Sequence, residues 1–164
     1  MSLRVEIIPC RTDNYSYVCI DSENNAFVVD PSEFIPVDDF IKKNNLNLKY
    51  ILNTHHHFDH VGGNIELKEK YGAKIVGNKN DKDRIPGIDI CLMEGEFFKF
   101  NEYKAEIIDI PGHTIGHIAF HIQSENIVFT GDTLFSLGCG RIFEGTPEMM
   151  YQSLNKLKNL PENT

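Results

Sequence analysis

The chain is short of basic residues: 16 Lys and Arg stand against 24 Asp and Glu, a net charge of -8. Nucleic acid and anionic membrane surfaces both select basic patches, so neither is expected as a partner. An anionic small molecule is not excluded, because a few local Lys or Arg residues can dominate the field of one pocket. Long apolar runs are missing too, and none approaches the roughly 18 residues of a membrane span. The stretch Met1 to Cys10 is too short and too charged for a signal peptide and runs directly into strand-like sequence. Cysteines are few and never paired as CxxC: Cys10, Cys19, Cys91 and Cys139 are widely spaced. Reduced thiols and a cytosolic compartment are therefore expected, rather than a disulfide framework. Internal repeats and low-complexity tracts are absent. With 41% hydrophobic residues among 164, one domain with one core is expected, and a monomer.

Local patterning divides the chain into short elements. Leu3 to Ile8, Tyr15 to Ile20 and Ala26 to Asp30 are β-rich runs broken by Thr12-Asp13-Asn14 and by Ser22 to Asn25, which reads as a β meander. Val37 to Asn44 has helical spacing, with Pro36 at its start. Lys49 to Leu52 is a further strand. Val61 to Tyr71 reads as one helix stopped by Gly72. Strands are expected at Lys74 to Val76, Glu96 to Phe100, Ala105 to Ile110, Ile118 to Ile122 and Ile127 to Thr130. A Gly-rich loop follows from Asp132 to Gly145, and Pro147 opens a helix to about Leu157. Strands flanked by helices at both ends suggest two sheets face to face, with helices outside.

Seven histidines are present, and four of them fall within six residues, at His55, His56, His57 and His60. The segment Thr54-His55-His56-His57-Phe58-Asp59-His60 directly follows a strand. Extended backbone puts residues two apart on one side, so His55 and His57 can converge on one ion. Asp59 and His60 come where the chain bends into a helix and can face a second point nearby. Two more candidates sit at strand ends: Pro111-Gly112-His113 after an apolar run, and Thr130-Gly131-Asp132 after another. His113 would complete a three-His set with His55 and His57, and Asp132 could offer one carboxylate oxygen to each of two ions. Imidazole and carboxylate donors suit zinc, iron or manganese. A His-rich loop can be only a solvated loop. Alternation in register with ligands recurring downstream argues for a pair of divalent metal ions that activate water.

The remaining histidines read differently. His56 points away from His55 and His57, which suits a core or supporting position. His117, at the start of a strand, reads as a hydrogen-bonded structural residue, and His121 carries no signal. Cys139, in Gly138-Cys139-Gly140-Arg141, has no unclaimed His as a base, so a packing position is expected.

The constellation His55, His57, Asp59, His60 with distant His113 and Asp132 resembles the HxHxDH signature of the metallo-β-lactamase fold superfamily. The chain is similar to one branch, the glyoxalase II (hydroxyacylglutathione hydrolase) family. The resemblance rests on Thr54-His55-His56-His57, Asp83-Arg84-Ile85-Pro86-Gly87, Pro111-Gly112-His113-Thr114 with Gly116-His117, Phe129-Thr130-Gly131-Asp132-Thr133-Leu134-Phe135, Gly138-Cys139-Gly140-Arg141 and Glu144-Gly145-Thr146. It covers essentially the whole chain. It implies a four-layer αββα sandwich. One metal is implied on His55, His57 and His113, and a second on Asp59 and His60, with Asp132 bridging. The implied substrate is a glutathione thioester such as S-D-lactoylglutathione.

Two departures follow from the same resemblance. The family places a further His, within a Cys-Gly-His-Glu run, shortly after a segment like Leu160-Pro161-Glu162, and then a helical domain that contacts glutathione. On that comparison the 164 residues look like a truncated catalytic domain, expected to be weak or inactive alone. Arg141 and Phe143, the implied substrate-binding pair, stand where members often have Lys and Tyr. Arg keeps the charge for a carboxylate, and Phe loses a hydroxyl. In the implied mechanism Asp59 orients the attacking water. Two other readings compete: a persulfide dioxygenase of the same superfamily with a single iron, and a folded fragment that binds one ion or none without catalysis.

Overall fold

Alternation decides the layers. In the strand Asn25–Val29, Phe27 and Val29 point to one side and Ala26 and Val28 to the other, and all four are buried. A strand apolar on both faces must be covered twice. The computed structural model describes residues 2–164. It contains ten strands: β1 (Arg4–Cys10), β2 (Asn14–Ile20), β3 (Asn25–Val29), β4 (Asn47–Leu52), β5 (Lys74–Asn78), β6 (Ile90–Leu92), β7 (Phe97–Phe100), β8 (Tyr103–Asp109), β9 (Ile118–Ile122) and β10 (Ile127–Phe129). The α-helices are α1 (Phe34–Lys43), α2 (Phe58–Val61), α3 (Asn64–Tyr71) and α4 (Pro147–Lys158).

The first six strands form one sheet in sequence order, and the second sheet runs β10-β9-β8-β7. The predicted meander is present: β1, β2 and β3 pair antiparallel. From β3 onward the first sheet turns parallel through β4, β5 and β6, whereas the second sheet is antiparallel throughout. Between the sheets lie Cys19, Phe27, Val29, Leu52 and Val76 from the first, against Phe98, Phe100, Ile107, Phe120 and Phe129 from the second. The first sheet's outer face carries Val18, Ala26, Val28, Ile51 and Ile75 under Val37 and Ile41 of α1 and Leu67 of α3. The second sheet's outer face carries Ile108 and Ala119 under Leu157 of α4. The result is the four-layer αββα sandwich that the resemblance implies.

Three elements depart from expectation. The single helix over Val61 to Tyr71 is two helices, because the Gly63 N–H donates to Pro31 O (2.8 Å) and leaves the helical ladder. Helix α1 begins at Phe34, ahead of Pro36, which is tolerated because first-turn N–H groups have no intrahelical partner. The three-residue β6 is too short to show a period in the sequence. Gly72 ends α3 in the left-handed conformation (φ 68°), and Thr146 caps α4 by accepting from the Met149 N–H. Among the described residues no helix is long and apolar enough to cross a membrane.

Candidate metal centre

The candidate ligands arise where strands stop. β4 ends at Leu52 and leads through Asn53 and Thr54 into the histidines. β8 leads to His113, and β10 leads to a 3-10 turn, Gly131–Thr133, that carries Asp132. All these ends lie at one edge of the sandwich, and ligand atoms of His55, His57 and His113 lie within 4.8 Å of one another. Asp132 sits between the two halves of the cluster, with Oδ1 at 3.2 Å from His60 Nε2 and Oδ2 at 3.4 Å from His113 Nε2. Asp59 Oδ2 stands further out, 3.8 Å from His60 Nε2. Its position is fixed by Asn14, whose amide donates to Oδ2 (3.0 Å) and to the Asp59 carbonyl (3.3 Å).

Hydrogen bonds on the far side of each ring decide which nitrogen is bare. The Thr54 hydroxyl donates to Asp30 Oδ2 (2.6 Å), so its oxygen accepts from His55 Nδ1–H (3.1 Å), leaving Nε2 unprotonated. Asp30 Oδ2 also accepts from His60 Nδ1–H (2.9 Å). The Arg141 carbonyl can only accept, so His113 Nδ1 carries a proton and its Nε2 is bare. His113 Nε2 meets His57 Nδ1 at 2.9 Å, a contact made either by one shared proton or by a cation held between them. His55 Nε2 is buried and lacks any hydrogen-bond partner, and His60 Nε2 is buried with only the Asp132 carboxylate facing it at 3.2 Å. Buried polar atoms are rarely left unpaired, and these fit a cation.

Asp30 also falls within 4.8 Å of ligand atoms of His55 and His60. Its oxygens are engaged by the Thr54 N–H, the Thr54 hydroxyl and His60 Nδ1. It therefore orients the candidate ligands from behind, with no oxygen left free to join them.

Electrostatics separate the histidines. Burial drives the His55 imidazole well below its ordinary pKa, and His117, His60 and His113 add to the effect. Burial, then His113, lowers His57. His117 is pushed down to about 3, chiefly by burial. His60 moves the other way: burial opposes its charge, but Asp30 and Asp132 outweigh burial and raise it to about 10. In Asp132 burial is outweighed by His60, and the carboxyl falls below its usual range. Three carboxylates beside the lowered His55 and His57 rings, with His60 charged, form a site that demands positive charge.

His117 accepts at Nε2 from the Asp132 N–H (3.1 Å) and stacks on His55 at 4.5 Å, which matches its expected structural part. His56 faces away and bonds Asp81 Oδ2 through Nδ1 (3.1 Å). Gly131 is held at φ 48°, and a Cβ there would collide with the Thr54 hydroxyl and the His117 ring. Phe143 lies over the His57 and His113 rings at 5.6 and 5.2 Å. Arg141 is exposed beside it, and its carbonyl is the group that orients His113. Cys139 corrects an expectation: it is exposed rather than packed into the core, because residues 134–139 are all exposed. Asp30, Thr54 and Asn14 went unrecognised in the sequence. A buried-type strand ending in Asp was the one available signal for Asp30.

The sequence profile of the metallo-beta-lactamase superfamily matches residues 11–164. The chain belongs to the metallo-β-lactamase superfamily. Members of this superfamily bind divalent metals, and the histidine cluster is where this chain has donors for them. The chain is 58% identical over 163 residues to a hydroxyacylglutathione hydrolase of Pelagibacter ubique (strain HTCC1062), covering 99% of this chain and 68% of that protein. It is 46% identical to the hydroxyacylglutathione hydrolase of Methylococcus capsulatus (strain ATCC 33009 / NCIMB 11132 / Bath), covering 99% and 64%. The chain thus spans about two thirds of the length of the curated relatives it matches. Its fold is similar to that of the BLEG-1 B3 metallo-beta-lactamase, with a TM-score of 0.89 at 23% identity over 97% of this chain and 88% of that one.

Proposed function

We propose that this chain is the catalytic part of a hydroxyacylglutathione hydrolase, which cleaves a glutathione thioester such as S-D-lactoylglutathione to D-lactate and glutathione. One observation carries the reading: imidazole nitrogens of His55, His57, His60 and His113 converge on one space together with both oxygens of Asp132. The names of relatives at 46–58% identity support the substrate class.

His55, His57 and His113 would hold a first divalent ion, and Asp59 and His60 a second, with Asp132 reaching both. Zinc, iron and manganese all suit these donors. When bound, the ions supply Lewis-acid polarisation of the thioester carbonyl and lower the pKa of water from 15.7 toward about 7. Asp59, tethered by Asn14, would accept a hydrogen bond from the attacking water and orient it toward the carbonyl carbon. The departing thiolate has an ordinary thiol pKa near 8.5, so it leaves without a dedicated acid. Phe143 walls off one side of His57 and His113, and Arg141 beside it offers a permanent charge to a glutathione carboxylate. All four cysteines are free thiols, in keeping with work in the cytosol.

The test is metal content per chain together with hydrolysis of S-D-lactoylglutathione, run on these 164 residues and on any longer product of the same gene. Metal-dependent hydrolysis is expected in the longer product, with a chelator abolishing it. Replacing Asp59 by Ala should lower kcat by roughly 10²-fold or more. Unchanged turnover in that variant would refute its role, and a single iron with oxygen uptake would favour the dioxygenase reading.

A further inference from the structure

Outside the candidate ligands lies a second cluster of charged groups, buried at its centre. Asp81 is 0% exposed, yet it belongs to a surface loop that also carries the exposed Arg84. One carboxylate oxygen of Asp81 takes His56 Nδ1 at 3.1 Å, and the other takes the Arg84 guanidinium through Nε at 3.1 Å. The guanidinium then reaches across 60 positions of sequence to Glu144 Oε1 at 2.6 Å. Glu144 accepts the Ile115 N–H with its other oxygen (2.8 Å). A Cβ on Gly116 would run into the Asp81 carboxylate, so that carboxylate is pressed directly against the 113–117 turn. Four loops therefore meet in one chain of hydrogen bonds and ion pairs: the histidine loop, the loop over 79–85, the turn after His113, and the loop over 140–145.

The last of these loops sets the proton on a candidate ligand. His113 Nδ1–H donates to the Arg141 carbonyl at 2.6 Å, and the Phe143 N–H returns to the His113 carbonyl at 3.2 Å. Glu144 is three positions from Arg141, and nothing in the 141–144 segment is part of a helix or strand. Its place thus depends on a few hydrogen bonds and on the grip of Arg84. A ring whose Nδ1 loses its acceptor can swap tautomer or rotate, and Nε2 then no longer faces His57.

We propose that Arg84 and Glu144 form a clasp that positions the Arg141 carbonyl behind His113 and so sets the affinity of the three-histidine metal site. Both are positioning residues, since neither side chain reaches the cluster of bare nitrogens. The inference rests on the reading that His55, His57 and His113 share an ion.

The experiment is a chelator-competition titration of Zn2+ on the full chain, comparing the parent with Arg84→Ala, Glu144→Gln, the double variant and Arg84→Lys. His113→Ala serves as the control. Each single variant should bind the tighter ion about tenfold more weakly or worse. The double variant should be little weaker than Arg84→Ala, because Arg84→Ala already cuts the Arg84–Glu144 link as well as the Asp81 pair. Arg84→Lys should recover only part of the loss, because one ammonium cannot serve Asp81 and Glu144 in a fixed fork. In 15N-edited spectra of the loaded protein the His113 Nδ1–H signal should be slow to exchange in the parent and fast in Glu144→Gln. Glu144→Gln leaves the Arg84–Asp81 pair intact, so it remains decisive if Arg84→Ala fails to fold. Parental affinity and a parental Nδ1–H signal in Glu144→Gln, with metal lost in His113→Ala, would overturn the clasp alone. Metal retained in His113→Ala would overturn the site reading beneath it.

Discussion

Asp30 gives the sharpest test of how the site is held together. The side chain of Asp30 is almost fully buried and receives three donors: the Thr54 N–H at 2.8 Å, the Thr54 hydroxyl at 2.6 Å and His60 Nδ1–H at 2.9 Å. The Thr54 hydroxyl and His60 Nδ1–H share Oδ2 while the Thr54 N–H takes Oδ1, so an Asn that keeps its carbonyl toward the Thr54 N–H turns its amide donor on both the hydroxyl and the imidazole, where donors already stand. Thr54 then releases His55 Nδ1, and His60 loses the carboxylate behind it, so both ligand pairs are disturbed by one atom change. Replacing a partner that supports metal ligands costs about 10–100-fold in affinity, or roughly 1.4–2.8 kcal/mol. The metal-free protein supplies a second readout. His60 titrates near 10 there, against an ordinary value of 6.5. A raised folded value means that the stabilisation is complete below about pH 6.5 and is lost as pH climbs through about 10. At about 1.4 kcal/mol per pKa unit the ceiling is about 5 kcal/mol, and sharing of the charge among neighbours makes roughly 2–3 kcal/mol a fair figure. Urea unfolding of the metal-free parent should therefore show stability falling between pH 7 and pH 10, with Asp30→Asn less stable at pH 7 and flatter across the range. Zn2+ binding at pH 8 should release a proton from His60 in the parent and less in the variant. Equal Zn2+ affinity in the two proteins, together with equal pH slopes, would refute the reasoning.

Gly131→Ala forces a side chain onto a left-handed backbone and into Thr54 and His117. A loss of about 2–4 kcal/mol in unfolding free energy is expected, with Zn2+ affinity falling in parallel. Asp38 is held down to about 2 despite burial, by Lys42, Lys70 and Tyr71. A depressed folded value means that the contribution is present above about pH 4 and vanishes as pH falls toward 2. Asp38→Asn should then cost about 1 kcal/mol at pH 7, reduced by screening at the exposed lysines, and only a small part of that at pH 2; denaturant midpoints at the two pH values check it. Phe120→Ala, in the layer between the sheets and fully buried, should cost about 3–5 kcal/mol by thermal unfolding and leave the metal site's spectrum unchanged.

How much of this was legible in the sequence depends on where each signal resides. Candidate ligands that follow a strand announce themselves, because the strand fixes the side to which each side chain points. That is why His55 and His57 could be paired, and why His113 and Asp132 could be linked to strand ends. The switch from antiparallel to parallel pairing after β3 left no trace, since β4 is apolar in the same way whichever direction its neighbour runs. The split between α2 and α3 was also hidden, because Gly62-Gly63 reads as a flexible pair, and its cause is the carbonyl of Pro31, 32 positions before Gly63. Cys139 failed for a related reason: sequence reports that a thiol is apolar, not that its loop lies outside the core.

The groups behind the ligands were the least legible, and the structure explains why they matter. A bare imidazole nitrogen is a property of two atoms, one facing the site and one facing away. The sequence names the ring, while the partner of the far nitrogen is set by topology. Asp30 comes from the end of β3, Thr54 from the end of β4 and the Arg141 carbonyl from a loop with no regular structure, yet these three determine the tautomers of His55, His60 and His113. A carbonyl does this work as well as a carboxylate, and any residue type can supply a carbonyl, so no motif can encode it. Side chains that hold such a carbonyl in place, as Arg84 and Glu144 do here, are therefore the ones a sequence motif includes without explaining.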